Sequence, residues 1–232
     1  MKRPTIAVVL AQFLDEQEQR LAPKTVAQYR DVVELLQHYL NGYAYLALDA
    51  LDAKRFERLQ HATGDAQREF CQIFGPEHIL PNVGEFLGYF MVRKVMAGQE
   101  LLRASGTVTK KLAAWLHEQG YISERQRLEA VERGGDAARE LPRADRLGEL
   151  LHDEMAKTPP LDPEEIPDEH WVEDFLAIER VEPGVLWFEG GIGPVRVSRR
   201  ASDLAEVGWG VNIVLAQLRG EWRIVELGFV YP

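Results

Sequence analysis

The chain has 232 residues, of which 46% are apolar, so it is long enough to build a sizeable hydrophobic core in one or two domains. Its net charge is -10, and Cys71 is the only cysteine, which excludes an internal disulfide and a cysteine-rich zinc site. No apolar run approaches the roughly 18 residues that a membrane helix needs, and the first residues lack a signal-peptide pattern. We therefore expect a cytoplasmic protein that does not enter a membrane.

The negative charge is concentrated in the middle of the chain. Residues 1–122 carry 14 Lys and Arg against 14 Asp and Glu, residues 123–180 carry 8 against 17, and residues 181–232 carry 5 against 6. Nucleic-acid binding depends on the charge of the local surface, so the total charge does not exclude it. The first part of the chain nevertheless lacks the basic excess that phosphate binding normally uses.

Two amphipathic helices are predicted at the start of the chain. The first is indicated by apolar residues that recur at helical spacing over residues 6–14. In the second, predicted over 21–41, Pro23 suits the first turn of a helix. We expect this helix to end at Asn41 and Gly42, because both residues tolerate the left-handed conformation that closes helices. Its apolar face is formed by Val26, Tyr29, Val33, Leu36 and Leu40.

Residues 43–122 are predicted to add further helices to the same bundle. Short helices come first, and a strongly apolar helix follows over 83–95. The last helix is predicted to begin at residues 105–107, where a serine and a threonine suit a helix start. Lys110 lies about 200° around this helix from Leu112, so we expect Lys110 to point to solvent.

The second helix resembles the opening of the core-binding domain of tyrosine recombinases, the phage integrases. In that family an L-x-P-K-T-x-x-x-Y helix begins a small SAM-like helical domain that clamps DNA. The matching residues of this chain are Leu21, Pro23, Lys24, Thr25 and Tyr29. The last predicted helix, which ends before a Gly-Tyr-Ile turn, also resembles the final element of these domains. The two matching regions, 6–42 and 81–122, cover about a third of the chain.

The resemblance implies that the helical part contacts double-stranded DNA, chiefly through the phosphate backbone. The residues that would make these contacts lie at predicted helix ends and faces: Lys24, Thr25, Arg93, Lys94, Lys110 and Lys111. The alternative is that these side chains are ordinary solubilising charges, and the sequence leaves both possibilities open. Tyr29 is predicted to be a core residue, because it lies on the apolar face of its helix.

The catalytic domain of a tyrosine recombinase is not expected in this chain. That domain holds the scissile phosphate with arginines, a lysine and an H-x-x-R pair, and a tyrosine attacks it. None of the six histidines here has an arginine three residues later. Tyr231, near the end of the chain, is better explained as a strand residue. No Ser-His-Asp or Cys-His set has supporting local sequence either, so we expect no enzyme.

Residues 123–170 are predicted to form one or two charged helices followed by a linker. The helices are expected to break at the glycines 134–135 and at Pro142, and a segment rich in proline and acidic residues follows. The acidic residues beside His170 are of types that bind metals, but a solvated acidic linker is the better explanation. We therefore expect neither a metal nor a cofactor.

The hydrophobic pattern changes to a period of two after residue 170, which is typical of strands. Short strands are predicted near residues 175–181, 185–188, 195–197, 211–215 and 222–225. Their spacing and the glycines between them favour a small antiparallel β-barrel, either SH3-like or OB-like. The glycine-rich run at 190–193 opens no helix, so it is predicted to be a turn and not a phosphate-binding loop.

The sequence therefore predicts an α+β protein with three parts. A core-binding-like helical domain spans 1–122, charged helices and a linker span 123–170, and a small β-barrel domain spans 171–232. Two functions stay open. The first is a non-catalytic DNA-binding or DNA-associated protein. The second is a protein-interaction or adaptor protein with partners on the barrel, which the acidic linker favours because it would repel phosphates.

Overall fold

The structure, a computed structural model, describes residues 3–157, 167 and 170–232. Most of the predicted linker, 158–170, therefore lies outside the described residues. The chain is α+β, as predicted: helices come first, and a closed five-stranded β-barrel follows. It divides into two compact units, which we call the helical unit (1–138) and the barrel unit (139–232).

The helical unit is built from short and long helices joined by tight turns. Its α-helices are α1 (Ile6–Glu18), α2 (Pro23–Tyr43), α3 (Ala50–Gln60), α4 (Phe70–Ile73), α5 (Val83–Glu85), α6 (Met91–Arg93), α7 (Gln99–Glu118) and the first part of α8 (Glu124–Met155). Single 3-10 turns lie between them at Ala44–Ala47, Gly64–Ala66, Pro76–His78 and Leu80–Asn82. One π-helical turn, Phe86–Phe90, joins α5 to α6.

Aromatic rings occupy the centre of the helical unit. Tyr29 of α2 stacks on Phe13 of α1 with ring centroids 6.0 Å apart, and Trp115 of α7 meets Phe13 edge-on at 5.7 Å. The indole Nε1 of Trp115 donates a hydrogen bond of 2.8 Å to Glu16, so its polar atom is satisfied. The prediction that Tyr29 is a core residue is confirmed, since only 6% of it is exposed.

The predicted end of α2 at Asn41 and Gly42 is wrong. The helix continues to Tyr43, and Gly42 keeps a helical backbone instead of a left-handed one. The Asn41 side chain contacts α4 instead: its Oδ1 accepts a 2.9 Å hydrogen bond from the backbone N–H of Cys71, and its Nδ2 donates to Glu69 at 2.6 Å. This tertiary use of the amide is invisible to a local helix-end rule.

Helix α7 begins at Gln99, which is earlier than the predicted start at 105–107. Gly106 lies inside the helix and against α8. A Cβ atom on Gly106 would lie 2.3 Å from the backbone N of Ala138 and 2.4 Å from the backbone O of Gly134. Because only a residue without a side chain fits at this distance, α7 and α8 contact each other backbone to backbone.

Helix α8 is continuous, so the predicted breaks at residues 134–135 and at Pro142 are wrong. Pro142 has no N–H to donate to the carbonyl of Ala138, which removes one helical hydrogen bond. The apolar residues on both sides of Pro142 are buried, and their packing outweighs this local cost. The division between the two compact units also falls here, directly after Ala138.

After the second part of α8, the described part of the barrel unit contains five strands, one short α-helix and a 3-10 turn at Glu189–Gly191. The strands and the helix are β1 (Trp171–Glu182), β2 (Val185–Phe188), β3 (Ile192–Arg196), α9 (Arg199–Leu204), β4 (Gly210–Leu218) and β5 (Glu221–Tyr231). Around the barrel the strand order is β1-β2-β3-β5-β4, and β1 pairs with β4 to close it. The positions of all five predicted strands are confirmed.

One strand pair departs from the predicted antiparallel barrel. Strands β3 and β5 are parallel where Val195 pairs with Trp222, and the other neighbours are antiparallel. The chain passes from β3 to β4 through the short helix α9.

The second part of α8 packs into the core of the barrel unit. Leu147, Leu150 and Leu151 are buried together with the inward-facing residues of the strands. Arg143 of the same helix lies over the ring of Trp209, with its guanidinium carbon 5.3 Å from the ring centroid. The barrel unit therefore contains part of α8 in addition to the predicted barrel domain.

Candidate functional site

The six residues predicted to contact DNA lie at three places on the helical unit. Lys24 and Thr25 are in the first turn of α2, Arg93 ends α6 and Lys94 follows it, and Lys110 and Lys111 lie in the middle of α7. The N-cap residue of α2 is Ala22, so no side chain at that position caps the helix. The six residues therefore form three pairs of sequence neighbours, and the structure does not bring all six into one cluster.

Two of the three places lie towards opposite ends of α2. Lys24 is at the start of the helix. Phe90, just before Arg93, packs against Tyr39 and Tyr43 near its end, at centroid distances of 5.4 and 5.7 Å. The 15 helical steps from Lys24 to Tyr39 rise by roughly 22 Å along the helix axis. One ligand can contact both places only if it extends over about this distance.

Arg93 and Lys94 share an aromatic neighbour. The guanidinium carbon of Arg93 lies 6.0 Å from the ring centroid of Tyr89, and the ammonium nitrogen of Lys94 lies 5.9 Å from it. Cation–π contacts at exposed sites contribute about 0.5–1 kcal/mol. Tyr89 therefore positions the two charges without neutralising either of them.

Lys110 is half-buried, so the prediction that it points to solvent is only partly right. Its aliphatic stem lies on Gly134 of α8, where a Cβ atom would be 2.8 Å from Lys110 Cγ. The glycine leaves room for the stem, and a long lysine side chain can bury its stem while the ammonium group stays in water. Lys111, the next residue, is exposed.

Five of the six residues are cations, and none of the five forms an ion pair with a carboxylate in the described part of the chain. We call them the five unpaired cations: Lys24, Arg93, Lys94, Lys110 and Lys111. Three arginines of α8 differ, since Arg125, Arg127 and Arg146 each pair with a glutamate of the same helix. The positive charges of the five unpaired cations are therefore available to a ligand.

Strands β1 and β2 carry an arginine that stacks on a tryptophan. The guanidinium carbon of Arg180 lies 4.1 Å from the ring centroid of Trp187, and Gly193 lies against the same ring. Here the ring is already engaged by the protein. Its Nε1 is buried and has no hydrogen-bond partner within the described residues.

Another side of the barrel carries exposed aromatic rings, which the sequence reasoning missed. Phe175 of β1 and Tyr231 of β5 meet edge-on with centroids 5.4 Å apart. Gly210 of β4 makes this contact possible, because a Cβ atom there would lie 2.0 Å from the Phe175 ring. Phe175 and Phe229 remain 49% and 42% exposed. Strand alternation predicts that Phe175 lies on the outer face of the barrel. It does not predict that the missing side chain of Gly210 lets the Phe175 ring lie across β4.

No three His, Cys, Asp or Glu side chains converge into a metal-binding group within the described ranges. His117 has one acidic neighbour, Glu124, with 3.4 Å between its Nε2 and the carboxylate. Residues 168 and 169, which belong to the acidic group beside His170, lie outside the described residues.

Comparison of the chain with protein-family models, with curated proteins and with solved structures gave no match. The resemblance to recombinase core-binding domains therefore stays a prediction. Among the helices that the structure describes, none combines the length and the apolar character that crossing a membrane requires.

Proposed function

We propose that this chain is a non-catalytic DNA-associated protein whose helical unit contacts the phosphates of a duplex. One observation carries the proposal: the five unpaired cations have no carboxylate partner in the described part of the chain. A phosphate that approaches them replaces water and counterions and breaks no ion pair. The resemblance to core-binding domains supports the same positions.

The spacing of the cations suits an extended ligand. Lys24 and Arg93 lie towards opposite ends of α2, and roughly 22 Å of helix separates Lys24 from the ring that marks the other end, Tyr39. One turn of a DNA duplex spans about 34 Å, so a single duplex is long enough to contact both ends. Contacts of this kind read the phosphate backbone and carry no direct sequence information.

Binding of a labelled mixed-sequence duplex tests the proposal, with fluorescence anisotropy at about 50 mM salt as the measurement. Lys24→Gln/Lys111→Gln removes two unpaired cations, and Arg125→Gln/Arg127→Gln removes two paired ones as a matched control. We expect the first variant to weaken binding about tenfold for each phosphate contact that the substitution removes. We expect the control to change binding less than threefold, because its arginines already have carboxylate partners.

Two results would contradict the proposal. If the wild-type chain does not bind at micromolar concentration, the helical unit is not a DNA-binding surface. If both variants weaken binding equally, the affinity for the duplex depends on net charge alone and not on the five unpaired cations.

The exposed rings of the barrel support a second candidate function, that of a protein-interaction module. Phe175 and Phe229 keep about half of their surface in water, and exposed aromatic residues are enriched where proteins bind one another. A pull-down with and without nuclease separates the two candidates. Partners that disappear after nuclease treatment count against the interaction module, and partners that disappear only in Phe175→Ala/Phe229→Ala support it.

A further inference from the structure

A second cationic site lies at the start of α1, in a cavity of about 380 Å³ that we call the arginine cavity. Arginines from three segments line it: Arg3 precedes α1, Arg55 lies on α3, and Arg68 precedes α4. Only one carboxylate, that of Glu77, is among the lining residues. The cavity therefore carries a net positive charge.

Two of these arginines are held by carbonyl groups and not by carboxylates. Arg55 donates from Nη2 to the carbonyl of Ile73 at 3.1 Å, and its guanidinium carbon lies 5.5 Å from the ring centroid of Phe74. Arg68 donates from Nη1 to two carbonyls of its own loop, at 2.5 and 2.6 Å. These contacts order the side chains and leave their charges intact.

Both guanidinium groups keep donors for a ligand. A guanidinium has five N–H donors, and the remaining ones of Arg55 and Arg68 have no acceptor within the described residues. None of the three arginines forms an ion pair with a carboxylate there. Thr5, which also lines the cavity, precedes α1, and its hydroxyl makes no capping hydrogen bond.

We propose that the arginine cavity binds the phosphate group of a phosphate ester. A guanidinium group can donate two parallel hydrogen bonds to phosphate oxygens, so arginine binds phosphate with a more specific geometry than lysine does. The volume of about 380 Å³ lies within the range of small-molecule sites and holds more than a bare phosphate ion. The phosphate belongs either to a nucleic-acid backbone or to a phosphorylated small molecule. This site is separate from the five unpaired cations and does not depend on them.

Isothermal titration of the full chain with pyrophosphate at low ionic strength tests this proposal. Arg55→Gln/Arg68→Gln removes two charges from the cavity. Lys54→Gln/Arg58→Gln removes two exposed charges from α3 that do not line it, and serves as the matched control. We expect one saturable site in the wild type and in the control, and a Kd at least tenfold higher in the cavity variant.

A third variant, Arg3→Gln, keeps the proposal testable if the double variant loses stability. Arg3 makes no hydrogen bond or ion pair with the described residues, so we expect an unchanged Tm and a Kd raised about threefold or more. The absence of saturable binding at millimolar pyrophosphate, or equal affinity in the wild type, the cavity variants and the control, overturns the proposal.

Competition identifies the source of the phosphate. A duplex without terminal phosphates that displaces pyrophosphate indicates a nucleic-acid backbone. Displacement by a nucleoside triphosphate but not by the duplex indicates a phosphorylated small molecule. If the duplex does not bind at all and pyrophosphate does, the DNA proposal fails and the arginine cavity stands.

Discussion

Two buried titratable side chains lie where α2 meets its neighbours. Burial raises the pKa of the Cys71 thiol to about 12, with a smaller contribution from the nearby Glu69 carboxylate. Burial also raises the pKa of the Tyr39 hydroxyl to about 12, and the Glu85 carboxylate adds to this rise. Both groups therefore stay protonated in the folded chain at pH values where the unfolded chain loses its protons. Cys71 is correspondingly unsuited to act as a nucleophile.

These pKa values predict a loss of stability at alkaline pH. The ordinary pKa values are 9.0 for the cysteine and 10.0 for the tyrosine, so the unfolded state releases both protons before the folded state does. The free energy of unfolding should therefore fall as the pH rises from about 9 towards 12. Urea unfolding at pH 7, 9 and 10 measures this dependence.

Replacement of the thiol separates its contribution from that of the tyrosine. Cys71→Ala no longer titrates at position 71, so its stability should decline less steeply between pH 9 and pH 10 than that of the wild type. An identical decline in both proteins would show that the thiol is not protonated more strongly in the fold.

The close contact between the helices α7 and α8 depends on glycine residues. Gly106 and Gly134 face each other across it, and a Cβ on either would lie less than 3 Å from atoms of the other helix. Gly42 provides a comparison, because it lies inside α2 with nothing within 4 Å of a Cβ atom. The two kinds of glycine therefore respond oppositely to the same substitution.

Gly106→Ala should destabilise the helical unit by more than about 2 kcal/mol, because α7 and α8 must move apart to make room for the methyl group. Gly42→Ala should stabilise it by about 0.5–1 kcal/mol, because alanine is the better helix former where there is space. Chemical denaturation measures both changes. Equal effects of the two substitutions would contradict the close helix contact.

The same elements show how far the sequence predicts the fold. Alternating apolar residues predicted all five strands, because strand alternation reports directly which side is buried. Helix ends were harder to predict, since the Asn41 amide contacts α4 and Gly134 accommodates α7 instead of ending a helix. Pro142 remains inside α8 because its neighbours are buried, a tertiary effect that local propensity does not contain.

The candidate sites also differ in how far the sequence alone predicts them. Lys24 and Lys111 can be proposed from the sequence because they lie on motifs that are continuous in the sequence. The arginine cavity cannot be predicted in this way, since Arg3, Arg55 and Arg68 come from separate segments and meet only in the folded helical unit. Each arginine taken alone has no more significance in the sequence than any exposed charge.

At the scale of the whole molecule, charge is divided unevenly between the parts of the chain. Residues 1–122 are balanced, and residues 123–180 carry nearly all of the net charge of -10. Acidic segments repel phosphates over about one Debye length, roughly 8–10 Å at physiological salt. Any attraction to DNA must therefore come from local cations of the helical unit, and it should weaken steeply as salt rises.

The slope of log K against log salt concentration for duplex binding tests this account most directly. Each phosphate contact contributes about -0.9, so the five unpaired cations predict a slope of about -4 to -5 for the wild-type chain. Lys24→Gln/Lys111→Gln should reduce its magnitude by about 2, while Arg125→Gln/Arg127→Gln should leave it nearly unchanged. A slope near zero, or no binding at the lowest salt concentration, would contradict the proposed contact with DNA.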